Sequence, residues 1–268
     1  MLKFLSFGSG SSGNCYILFT GADCLMIDCG VGIRTLKKHF YNYGLQMSMI
    51  HHILITHDHA DHVKSVGSIS GDLQLPVYAT DGTLQGIRNN WCVRRKIDTK
   101  LTHTINKGEE IQLGEFKVVA FDVPHDSTDC VGYSIEHDGV RFTLVTDCGH
   151  ITEDIAHYIS ISNYLVIEAN HEPEKLAAGP YPRHLKERIS GPNGHLSNEA
   201  CALALVQNAS PLLRHVWLCH LSDENNHPEL AQKTIESILR DSGIIAGKDF
   251  ILDVLKRKTP SEFFELKQ

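Results

Sequence analysis

Short apolar runs recur along the first two thirds of the chain, most of them paired across a glycine- or aspartate-bearing turn. Leu2–Phe7 reads as a strand, followed by the flexible turn Gly8–Gly13 (GSGSSG). Asn14–Thr20 and Cys24–Asp28 flank a Gly21–Asp23 turn and predict a hairpin. Ile33–Tyr43 has helical spacing, with Gly44 as its stop. His52–Thr56 is a short apolar strand, and a helix is expected from about Asp61–His62 to Ser70. Val77–Ala79 predicts a strand and Gly82–Asn90 a helix. Ile111–Leu113 and Phe116–Phe121 meet at Gly114. Val131–Glu136 and Val140–Thr146 meet at Asp138-Gly139, a strong hairpin signal. After the strand Tyr164–Ala169 the pattern changes: Arg183–Ile189, Ser197–Val206 and Pro228–Leu239 are helical, while His215–Cys219 and Phe250–Val254 are strand-like. Early hairpins with late strand–helix units predict an α/β class fold, an αββα sandwich of two mixed sheets face to face with helices outside. No repeat or linker interrupts the pattern, so residues 1–268 are expected to form one domain.

Composition narrows the class. The 268 residues are 42% hydrophobic and 21% charged, as in a globular protein. No apolar run approaches the roughly 20 residues of a membrane helix, and the opening MLKFLSFGSGSSGN lacks the apolar core of a signal peptide. A cytoplasmic location is the expectation. The eight cysteines are scattered without a CxxC pair, which favours buried, reduced thiols. The net charge of −7 argues against a broad basic coat but leaves room for a local basic patch. The 17 histidines are the unusual number, because histidine is the commonest metal ligand.

Three of them, with two aspartates, crowd into six positions after the strand HHILIT, in Thr56-His57-Asp58-His59-Ala60-Asp61-His62. Burying that many polar groups unpaired would cost several kcal/mol each; a metal cluster removes the cost. His57 and His59, two residues apart on an extended loop, can point to one side. Asp61 and His62, at a helix start, can aim at a neighbouring point. One loop can thus feed two metals. A lone HxH is weak as a signal, whereas the full HxHxDH after a strand is specific.

HDHADH resembles the signature of the metallo-β-lactamase superfamily, whose remaining pattern follows in order. Asp28, ending LMID, resembles the early aspartate that orients the ligand loop. His125 in VPHD, Asp147 in LVTDCGH and His220 in HVWLCHLS resemble the later ligands, each after an apolar strand. The resemblance spans about residues 5–221. It implies the metallo-β-lactamase type of αββα sandwich, with His57, His59 and His125 on one divalent ion, Asp61, His62 and His220 on a second, and Asp147 bridging. Asp61 also counts as a catalytic residue. Nitrogen and oxygen donors suit Zn, Mn or Fe.

Such a site activates water, with a hydroxide on the metals as nucleophile, and clamps attacking and departing oxygens. Two ions (+4) against two carboxylates (−2) would leave it positive and attractive to an anion. FGSGSSGNCYI, IEANHE, YPRHLKERISGPNGHLSN and LCHLSDENN resemble the YycJ/WalJ-type branch, which implies a DNA exonuclease acting 5′ to 3′, with DNA as partner and no membrane. Gly194-His195-Leu196-Ser197 resembles a phosphate-contacting motif of related nucleases. Arg183, His184, Lys186 and Arg188 precede it, and Arg94, Arg95, Lys96 and Lys100 form a second basic stretch. Arg183, Arg188 and Ser197 are therefore the expected substrate-binding residues. Ser197 can also cap the next helix, whose amides favour an anion. His171 and His195 are the candidates for protonating the leaving oxygen. The alternative is a glyoxalase-like thioester or lactone hydrolase. A diiron redox role is disfavoured by His59, which stands where those relatives carry glutamate. A DNA-binding module with a vestigial site is disfavoured because every expected ligand is present.

Overall fold

The computed structural model describes all 268 residues. Fourteen strands are formed: β1 (Leu2–Gly8), β2 (Cys15–Phe19), β3 (Cys24–Ile27), β4 (His52–Leu54), β5 (Val77–Ala79), β6 (Thr102–Thr104), β7 (Glu110–Leu113), β8 (Phe116–Asp122), β9 (Val131–His137), β10 (Val140–Val145), β11 (Tyr164–Glu168), β12 (His215–Cys219), β13 (Ile251–Val254) and β14 (Phe264–Leu266). The helices are α1 (Ile33–Asn42), α2 (Ala60–Val63), α3 (Val66–Leu73), α4 (Asp81–Asn89), α5 (Glu153–Ser160), α6 (Pro173–Ala178), α7 (Arg183–Ile189), α8 (Asn198–Asn208) and α9 (Pro228–Asp241).

Two seven-stranded sheets result, ordered β14-β1-β2-β3-β4-β5-β6 and β13-β12-β11-β10-β9-β8-β7. Both have the same plan. In the first, β14, β1, β2 and β3 pair antiparallel and β3 to β6 pair parallel. In the second, β7 to β10 pair antiparallel and β10 to β13 pair parallel. A central apolar layer fills the space between them, with Phe4, Tyr16, Phe116, Tyr133, Phe142 and Trp217 as its largest members. A second layer packs α5, α8 and α9 on one outer face, and a third packs α1, α3 and α4 on the other. This is the expected αββα sandwich. All eight cysteines are free and seven are buried; no helix is long and apolar enough to cross a membrane.

Where the sequence predicted one helix from Asp61 to Ser70, the chain forms α2 and α3 with a break at Lys64–Ser65. The cause is the loop after β3. Cys29 N–H donates to the His62 carbonyl at 2.7 Å, and Ser65 N–H donates to the Cys29 carbonyl at 3.0 Å. These are groups that a continuous helix would have used itself. The strap holds Asp28 beside His62.

Candidate metal centre and active site

Parallel strands end together, and their carboxyl ends form the crevice where α/β sheets bind ligands. Asp28 follows β3, His57 is the third residue after β4, Asp147 the second after β10, Glu168 ends β11 and His220 follows β12. Three of these, Asp28, Asp147 and His220, sit at positive φ (61°, 50° and 50°). A left-handed conformation costs a non-glycine residue about 1–3 kcal/mol and collects at functional sites. Here each turns its side chain off a strand end into one buried cluster.

The cluster contains the seven expected ligands. The ligating atoms of His57, His59 and His125 lie within 4.8 Å of one another, as do those of Asp61, His62 and His220, and those of His57, His62 and Asp147. His125 Nε2 and His59 Nδ1 are 3.3 Å apart. His220 Nε2 lies 3.3 Å from Asp61 Oδ2 and 3.5 Å from Asp147 Oδ1, while His62 Nε2 lies 3.2 Å from Asp147 Oδ2. Asp147, 2% exposed, stands between the two triads.

The outward nitrogens are clamped. His62 Nδ1 pairs with Asp28 Oδ2 at 2.7 Å, His125 Nδ1 with the Gly194 carbonyl at 3.0 Å, and His220 Nδ1 with Glu168 Oε1 at 3.1 Å. An imidazole donating Nδ1–H to a carboxylate or carbonyl while Nε2 faces the centre is the arrangement that metal-ligating histidines adopt. His57 Nδ1 contacts Thr56 Oγ1 at 3.0 Å, and its buried Nε2 has no partner in the protein. A buried orphan nitrogen is costly and fits a metal ion. The charge pattern agrees. Burial disfavours a charged His62, yet Asp147, Asp28 and Asp61 push its pKa up to about 10. Burial would raise Asp147, but His220 and His62 hold it well below the usual range. A cavity that stabilises positive charge this strongly suits cations, which displace the protons they replace.

Two participants were not foreseen. Glu168 is fully buried and accepts from the Cys148 and Leu196 amides at 2.8 and 3.1 Å. It also holds His195 Nδ1 at 2.7 Å. Burial acts to raise its pKa, but the His195 charge and the bonds from His195 and His220 bring it to about 2. It lies in the IEANHE stretch of the resemblance, but as the last residue of an apolar strand nothing marked it as a site residue. Asn14 Nδ2 lies 2.8 Å from His62 Nε2, with its Oδ1 fixed by Gly10 N–H; the signal was the GSGSSGN turn. The extra carboxylates change the electrostatic expectation. Asp28 and Glu168 join Asp61 and Asp147, so four carboxylates would balance two divalent ions, and the positive excess expected from the ligands alone would be absent.

The remaining expected residues divide. The His195 ring lies 5.0 Å from His125 and 5.4 Å from His220, between the triads, and Glu168 and Asp147 raise its pKa against burial. His171 is 3% exposed, its Nδ1 lacks a partner, and burial lowers its pKa. Arg188 reaches the rim by a bond to Asp126 (Nη2 to Oδ1, 3.1 Å), whose Oδ1 is 3.4 Å from His125 Nε2. Arg183 is instead tied to Glu187 on its own helix at 2.7 Å with a 91% exposed side chain. Ser197 Oγ accepts from Ala200 N–H at 3.0 Å, so it caps α8 as expected. Gly194 is required for packing: a Cβ there would meet the Ile189 and Arg188 carbonyls at 2.2 and 2.3 Å.

The clamp on His62 predicts an outcome. Asp28→Asn keeps the size but weakens the bond that orients the ring, and should lower metal affinity roughly 10–100-fold. Competition with a chromophoric chelator measures it; unchanged affinity would remove Asp28 from that role.

Comparison with known proteins places the chain. A family model described as a beta-lactamase superfamily domain matches residues 24–220. The chain is 30% identical over 261 residues to the exodeoxyribonuclease YycJ of Bacillus anthracis, covering 97% of this chain and 98% of that one. It is 32% identical over 248 residues to the exodeoxyribonuclease WalJ of Streptococcus pneumoniae serotype 2, covering 92% of each. Zn(2+)-bound PqqB from Methylobacterium extorquens shares the fold, with a TM-score of 0.73 at 16% identity over 97% of this chain and 99% of that one.

Proposed function

Because the chain belongs to the metallo-β-lactamase superfamily, in its YycJ-type branch, and is a metal-dependent hydrolase, we propose that it is a two-metal DNA exonuclease cleaving from the 5′ end. The observation that carries the reading is the pair of ligand triads sharing the buried Asp147. The DNA substrate is supported by the exodeoxyribonuclease names of the two relatives matched nearly end to end. Free, mostly buried thiols support a reducing, cytoplasmic setting.

His57, His59 and His125 would hold one ion and Asp61, His62 and His220 the other, with Asp147 common to both. Zn, Mn or Fe bound there would supply an activated water and neutralise charge on the phosphate. The chain's own residues do the rest. Asp28, Glu168 and the Gly194 carbonyl fix the imidazole rings. Asp61, with a 23% exposed side chain, is the ligand carboxylate nearest solvent and can receive a proton from attacking water. His195, held at Nδ1 by Glu168, presents its other ring nitrogen to substrate. When the P–O bond breaks, the leaving oxygen takes its proton from there. Neutral, enclosed His171 is the weaker candidate for that step. Arg188 can exchange Asp126 for a phosphate at the rim; Arg183 is too far along its own helix pairing to share that role without moving, and Ser197 contributes through the capped α8.

Metal-reconstituted protein should cleave end-labelled DNA and a p-nitrophenyl phosphodiester, with weak or absent β-lactam turnover. Label release from the 5′ end first would support the polarity. If thioester or lactone turnover greatly exceeded phosphodiester turnover under matched conditions, the glyoxalase-like reading would replace this one.

A further inference from the structure

Beside the metal centre lies an open cleft of about 510 Å³ whose wall includes the ligand His59 together with Asp58, Gln85, Asn89, Trp91 and Thr128. Trp91 is 87% exposed, and no aromatic ring of the protein stacks on it. An indole is rarely left so bare, since it is the largest apolar surface a side chain offers. Nor is it on a loose loop. The Asn90–Val93 turn is closed by Val93 N–H on the Asn90 carbonyl at 3.2 Å. Asn90 donates its Nδ2 to the Asp58 carbonyl at 2.7 Å and accepts from Cys92 N–H at 2.9 Å. Lys96 Nζ donates to the Asn90 carbonyl at 2.7 Å. The turn that carries the indole is therefore bonded directly to the loop that carries His57 and His59. Arg88 and Arg94, three residues before and after Trp91 along the chain, are exposed and form no ion pair, whereas Arg95 is committed to Asp72 at 2.6 Å.

An exposed aromatic face on an anchored turn, with unpaired arginines close along the chain and a cleft opening onto the metal centre, suits single-stranded nucleic acid: cations follow the backbone and the ring stacks a base. We propose that Trp91 is a stacking platform for a base of the DNA strand whose phosphodiester lies at the metal centre, and that it positions that strand. This rests on the nuclease reading above. The platform accounts for binding without the positive excess that the balanced centre lacks. It is tolerant of sequence, since every base has a face.

The protein offers a clean probe, because its only other tryptophan, Trp217, is 0% exposed in the central layer. Phosphorothioate oligothymidine added to the metal-loaded protein should quench the emission of Trp91. Trp91→Ala should raise KM for single-stranded DNA roughly 10-fold or more, with a much smaller change in kcat. Trp91→Phe should recover most of the loss and Trp91→Leu should not. An oligonucleotide series with one abasic site moved along the strand should show one sensitive position in the wild type and none in Trp91→Ala. If the wild type cleaves DNA while Trp91→Ala keeps its KM and the abasic pattern, the nuclease reading stands and the platform is refuted. If emission changes with protein concentration and not with DNA, the indole serves self-association and the platform is likewise refuted. If the wild type neither cleaves nor binds DNA, both readings fall together.

Discussion

Replacing His195 by alanine should slow DNA cleavage roughly 10²–10⁴-fold, the range for loss of a general acid, while fold and metal content persist. The alkoxide leaving from a phosphodiester is a strong base and gains from a donor on the side away from the attacking oxygen. The seven proposed ligands would be engaged by metal and could not serve. His195 sits between the triads with Nδ1 on Glu168, so the ring is oriented and its proton is stabilised by a buried carboxylate. Rate loss alone would also follow if His195 merely anchored phosphate. A p-nitrophenyl phosphodiester separates the two, because its leaving group departs without help. A much smaller loss on that substrate than on DNA identifies the acid; equal losses identify an anchor; no loss on either refutes a functional role.

Asp147→Ala should hold fewer than two metal ions per chain by elemental analysis, and activity should fall by more than the roughly 10–100-fold typical of losing an outer partner. Asp147 touches both triads: Oδ2 is 3.2 Å from His62, and Oδ1 is 3.5 Å from His220 and 3.8 Å from His125. Its removal leaves those imidazoles crowded around a cavity without the carboxylate that offsets them. Full metal content in the variant would take Asp147 out of the bridging position.

Most of the sheet content and the residues gathered at the candidate metal centre were legible because they are written in local patterns. His215–Cys219 and Arg183–Ile189 fall where apolar spacing put them, and HDHADH places four ligands on one loop. What escaped was set by tertiary contacts. α5 and α6 are short elements whose start signals, the cap Thr152 and the first-turn Pro173, stand outside any long periodic run. The split between α2 and α3 depends on Cys29, more than thirty residues away in sequence, inserting its backbone. β14 has only three residues and exists by pairing with β1. Glu168 reads as one more residue of an apolar strand until folding sets two histidines on its carboxylate.

The matching plan of the two sheets has a mechanical consequence. His57, His59, Asp61 and His62 come from the half that ends with β6, and His125, Asp147 and His220 from the half that begins with β7. Neither half holds a complete triad plus the bridge. Ions held by these residues would thus be cross-links across a seam, and their occupancy and the registry of the two halves would form one equilibrium: ligands that bind only the closed seam stabilise it by mass action. A substitution that loosens the central layer, such as at Phe4 or Phe142 whose rings meet at 5.0 Å, would be felt at the far edge of the molecule as weaker grip on metal, though it touches no ligand.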